Sequence, residues 1–121
     1  MQWSDFALSE LEVAPWMLIK NSRVYPDELK IPPEILAPSM QWESSRAQRI
    51  LIKGLEGKNY LVGNAFSLAD IHISVALLMH LKVGLSIAPV LGTYLGRTLS
   101  RPAVARLIAR GEMADVSALF C

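Results

Sequence analysis

The chain has 121 residues, the length of one domain, and carries 12 basic against 11 acidic side chains, a balance that speaks against a nucleic-acid partner. Apolar residues make up 52%, enough for a packed core and too many for a disordered chain. One cysteine excludes an internal disulfide framework, and the opening MQWSDF has no basic leader, so a cytoplasmic protein in a reducing compartment is expected.

The pattern is helical nearly throughout, without repeats or strand-like alternation. A first helix is predicted over about residues 2–20. Trp3, Phe6, Ala7, Glu10, Val13, Ala14 and Met17 recur at helical spacing, with Leu8, Leu11 and Leu18 on a second flank. Pro15 inside it predicts a kink or break, because proline lacks an amide donor and clashes with the preceding turn. Residues 21–33 read as a connector rich in turn formers.

A second helix is predicted from about Glu34 to Gly57, with Pro33 suited to its first position. Pro38 delays its regular part to Ser39, a residue able to cap. Met40, Ala47, Leu51 and Leu55 make an apolar stripe, and Arg46, Arg49 and Lys53 make a basic one that reads as a solvated face.

After a loop rich in glycine and asparagine, Phe66-Ser67-Leu68-Ala69-Asp70-Ile71 carries the sharpest local signal. Ser67 as N-cap accepts from the Asp70 amide, and Asp70 reaches back to the Ser67 amide. This is a capping box with aspartate at its third helical position. Phe66 and Ile71 flank it as a hydrophobic staple. These four residues are assigned to folding.

The helix that follows, about Leu68–Val83, is apolar almost all round and belongs at the centre of a bundle, ended by Gly84. His72, Ser74, His80 and Lys82 interrupt the apolar run, so it is no membrane span. Pro89–Leu99 forms a fourth helix. Ser100 and Pro102 open a fifth that runs to about Arg110, where Gly111 ends it. Residues 112–121 read as a tail. The expected architecture is all-α, about five helices around a buried central one, in a single domain over residues 1–111.

Chemistry-bearing motifs are mostly lacking. His72 and His80 lie eight apart on one helix, about 80° round from each other, and cannot chelate one ion, so no metal is expected. They read as two imidazoles at a bundle or domain interface. No nucleophile elbow, phosphate-binding loop or dinucleotide fingerprint is present. Glu10 and Glu12 point to different faces of their helix. No catalytic residue is nominated.

The stretch Asn59–Ile71 (NYLVGNAFSLADI) before an apolar helix resembles the C-terminal helical domain of the cytosolic glutathione transferases. Pro89-Val-Leu-Gly-Thr-Tyr-Leu-Gly-Arg and Arg101-Pro102-Ala103 resemble two later motifs of that family. Trp3, Glu10-Leu11-Glu12, Trp16 and Tyr25-Pro26 resemble its first helix in bacterial members. In that family a thioredoxin-like first half binds glutathione and ionises its thiol. No strand pattern of that half precedes Trp3, so those catalytic residues carry over to no position here.

The resemblance implies the electrophile-pocket and dimerisation half of a transferase, with glutathione a co-substrate only where the other half is supplied. It places Glu12 near the glutathione sulfur, Glu10 toward a partner subunit, and Val13, Trp16 and Met17 in the apolar wall. Val13 and Met17, four apart, suit a core better than a pocket wall. Trp16 is open to exposure because Pro15 disturbs its turn. The implied partner is a second copy or a thioredoxin-like domain, which would cover the apolar surplus behind the mean hydropathy of +0.32. The alternatives are a non-catalytic protein-interaction module and a carrier of a small apolar ligand.

Overall fold

Every regular element among the described residues, 3–62 and 65–109 of a computed structural model, is helical. The order is α1 (Trp3–Phe6), a π-turn (Ala7–Leu11), α2 (Val13–Ile19), a second π-turn (Lys20–Val24), a 3-10 turn (Asp27–Leu29), α3 (Pro33–Leu55), α4 (Leu68–Lys82), α5 (Pro89–Leu99) and α6 (Pro102–Ala109). The expected all-α bundle is present. No helix of the described residues is long and apolar enough to cross a membrane. Residues Arg110, Gly111 and the expected tail 112–121 lie outside the described residues.

The first helical run corrects the sequence expectation. No break falls at Pro15. The chain widens one turn earlier, where the Glu12 amide donates to Ala7 O, five residues back, at 2.9 Å. Pro15 therefore sits in the first turn of α2, where its missing amide costs nothing. The extra residue in the π-turn shifts the helical phase. Phe6, Ala7, Leu11, Ala14 and Pro15 turn inward, while Leu8, Val13 and Trp16 turn out.

The run also extends to Val24, four residues into the expected connector. Asn21 fastens its end: its Nδ2 donates to Met17 O at 2.8 Å and its Oδ1 accepts the Ile31 amide at 3.0 Å.

α3 starts at Pro33 as expected, but Pro38 does not delay it. The Ile35 and Leu36 amides both bond Pro32 O, so the helix is nucleated before Pro38 arrives and forgoes only one amide there. Ser39 is no cap: its hydroxyl donates to Leu36 O at 3.0 Å. The helix ends at Leu55 in a turn that places Gly57 at φ +70°, with the Lys58 amide on Leu55 O.

α4 is the centre. It packs against α1, the first π-turn, α2 and α5, and Ile73, Ala76, Leu77 and Leu78 are buried. Gly84, at φ +83°, ends it in a Schellman motif: the Gly84 amide bonds Leu81 O and the Leu85 amide bonds His80 O. Ser100 does not cap α6. Its hydroxyl turns back to Gly96 O at 2.8 Å, and Arg101 O takes the first amide of α6, from Ala105.

Candidate functional site

Three groups of polar side chains stand out, and the fold gives each a different task. The first is the Asp70 node. The capping box forms, and the carboxyl does more than cap. Its Oδ2 accepts the Ser67 amide at 2.9 Å and the Ser67 hydroxyl at 3.3 Å. Its Oδ1 accepts the Tyr94 hydroxyl at 2.6 Å and the Leu61 amide at 3.1 Å. Asp70 thus ties the loop before α4 to α5 from a fully buried position. Burial, and then the Asp70 contact, push the Tyr94 hydroxyl far above its usual range, so it serves as a fixed donor. Phe66 and Ile71 pack against the core on either side of the cap. The capping signal was legible in sequence; the Tyr94 and Leu61 bonds were not, because they join residues 24 and 9 apart.

The second group is buried. His80 Nδ1 donates to Ala76 O at 2.7 Å, which leaves Nε2 to accept the Ser44 hydroxyl. Ser44 Oγ accepts from Gln48 Nε2 at 2.9 Å. Gln48 in turn holds the segment before α5, donating to Ser86 O and accepting the Ala88 amide, both at 2.9 Å. Burial holds the imidazole below its ordinary pKa, so it is neutral. Ser44 and His80 are wholly enclosed, which suits a clamp and not a nucleophile.

The third group lies at the surface, where the π-turn ends. Glu12 is half-buried beside His72 of α4. Burial raises its carboxyl pKa, and the His72 charge opposes that rise. His72 Nδ1 is buried and unpartnered. Within four residues of one or other member of this pair the chain exposes large apolar side chains: Leu8 is 64% exposed, Val13 45%, Trp16 46% and Leu68 62%. Val13 is therefore no core residue, against that expectation, and Met17 is only partly covered. The π-turn is the cause, since a regular pitch would have carried Val13 toward the core side. Single-turn π-bulges concentrate at functional sites, where they re-aim side chains.

Glu10 is separate. Its carboxylate lies 3.8 Å from Arg46 of α3, which also bonds Glu43 at 3.1 Å. The carboxylates two apart thus serve different neighbours, Glu12 with α4 and Glu10 with α3. His72 is the member of the site that sequence reasoning did not nominate. No local signal marks it, since its role depends on α4 lying against the first π-turn. Among the described residues, no cluster of three or more His, Cys, Asp or Glu side chains could hold a metal ion.

The sequence from residue 32 to residue 110 matches the family model described as glutathione S-transferase, C-terminal domain. The matched span begins after the first helical run, so Glu10 through Met17 lie outside it. No curated protein and no solved structure matches the chain.

Proposed function

The chain belongs to the glutathione S-transferase C-terminal-domain family, and from that premise we propose that its first helical run supplies the apolar wall of an electrophile pocket. The observation that carries this reading is the exposed apolar set Leu8, Val13, Trp16 and Leu68, each within four residues of Glu12 or His72, together with the Glu12–His72 pairing. Large apolar side chains gathered about a few polar groups are what a ligand wall requires. Glu12 and His72 orient the polar end of a bound molecule, and Val13, Trp16 and Met17 cover its body.

Conjugation needs a thiolate beside that wall. In this reading the thiolate comes from glutathione held by a thioredoxin-like domain, and the present residues do not conjugate by themselves. That domain, or a second copy of the chain, covers the exposed face in the cytoplasm. Neither nucleic acid nor membrane is a partner.

A second reading, a protein-interaction module, is favoured by α3. There Ile35 and Trp42 are exposed on the same face as Arg46, Arg49 and Lys53.

The test combines light scattering at several concentrations with titration of glutathione and an apolar fluorescent probe. Probe binding is expected in the native chain and strongly reduced in Trp16→Glu. Turnover of a standard electrophile with glutathione by the chain alone would overturn the non-catalytic assignment. Probe binding untouched by Trp16→Glu would overturn the wall. A self-association lost in Trp42→Glu, with the probe unaffected by either change, would establish the second reading.

A further inference from the structure

A cleft of about 170 Å³ opens where the end of α2 and the second π-turn meet the start of α3 and the end of α4. It shares no residue with the Glu12 cluster. Its apolar lining is Leu18, Ile19, Pro33 and Val83, and its polar lining is Ser22, Arg23 and Lys82. No carboxylate lines it. Arg23 and Lys82 come from different elements, and neither joins an ion pair or side-chain hydrogen bond among the described residues. The Ser22 hydroxyl already donates to Ile19 O at 3.1 Å, so recognition of a charge falls to the two cations.

The size is informative. A cavity of roughly 150 Å³ holds one benzene ring. A cleft of that capacity, apolar on one part of its lining and carrying two uncompensated cations on another, complements a small molecule with one apolar end and one anionic end. Arg23 can grip two oxygens with its planar fork, and Lys82 adds a point charge. Carboxylate fits better than a phosphate dianion, because the lining presents more apolar than polar surface and so favours a ligand with one small charged end.

We propose that this cleft binds a compact organic monoanion, an aryl or short branched carboxylate, with its ring or branch on Leu18, Ile19 and Val83 and its charge between Arg23 and Lys82. The site is independent of the electrophile wall and does not require a partner.

The experiment is a titration of the full chain with benzoate, followed by amide chemical shifts in a heteronuclear NMR spectrum. Benzyl alcohol and inorganic phosphate serve as controls. Shifts are expected at Leu18, Ser22 and Val83, with a dissociation constant of about 1 mM or tighter at low salt and weaker binding as salt is added. Benzyl alcohol should bind roughly tenfold more weakly, the value of one charge-assisted hydrogen bond, and Arg23→Gln should weaken benzoate by a similar factor. R23Q/K82Q should abolish it while leaving the helical circular dichroism intact, since both side chains are exposed. Three results would each overturn the proposal: benzyl alcohol binding as well as benzoate, phosphate binding as well as benzoate, or shifts that map away from the cleft. The native-chain comparison of benzoate with benzyl alcohol decides the matter even if a variant fails to fold.

Discussion

Replacing Asp70 by alanine tests how far one side chain holds three parts of the bundle together. The change removes the acceptor of four donors: the Tyr94 hydroxyl, the Leu61 amide, the Ser67 amide and the Ser67 hydroxyl. Tyr94 and Leu61 are buried, so water does not replace the lost bonds. A buried donor left unpaired costs about 1–3 kcal/mol, so these two alone contribute about 2–6 kcal/mol. Loss of the cap adds about 1 kcal/mol. Asp70→Ala should therefore cost about 4 kcal/mol, a large part of the ~5–15 kcal/mol that holds a domain of this kind folded. Ser67→Ala removes the cap but leaves Asp70 with Tyr94 and Leu61, and should cost about 1 kcal/mol. Tyr94→Phe leaves Oδ1 with Leu61 and should fall between, at about 2 kcal/mol. Urea unfolding followed by far-ultraviolet circular dichroism measures all three. The reasoning is refuted if Asp70→Ala and Ser67→Ala agree to within about 1 kcal/mol, for then the carboxyl is a helix cap and nothing more.

The His80 clamp predicts a pH dependence. Its folded pKa lies below the ordinary 6.5, so the stability it contributes is complete above 6.5 and is lost as pH falls from there through the folded value. Native chain should show a falling urea midpoint over that window, and His80→Gln should flatten it; a slope unchanged by the substitution would remove His80 as the cause. Gly54 predicts a spectroscopic change: a Cβ there would overlap the Trp3 ring, which packs edge-on to Phe6 at 5.3 Å. In a Trp16→Phe, Trp42→Phe background, Gly54→Ala should shift Trp3 emission toward the solvent-exposed value, and an unmoved spectrum would show that the ring does not rest on α3.

Much of this protein was written locally. The capping box at Ser67 and Asp70, the helix stop at Gly84 and the helix starts at Pro33 and Pro89 rest on hydrogen bonds and dihedral angles that span a few residues, so the residue types suffice to specify them. The central place of α4 was equally legible, because a helix apolar on every side has nowhere else to go.

What only the tertiary structure decided depends on phase and on distance along the chain. The π-turn at Ala7–Leu11 leaves no composition signal, yet its one extra residue turns Val13 outward to join Leu8 and Trp16 on the exposed apolar face. Pro38 looked like a delay of the regular part of α3 to Ser39, but the helix was already nucleated at Pro33. Two histidines on one helix looked alike until packing separated them. His80 was enclosed with Ser44 and Gln48, and His72 was set beside Glu12. Local rules fix where helices begin and end; which side chains face one another across them depends on the angle and register at which those helices pack.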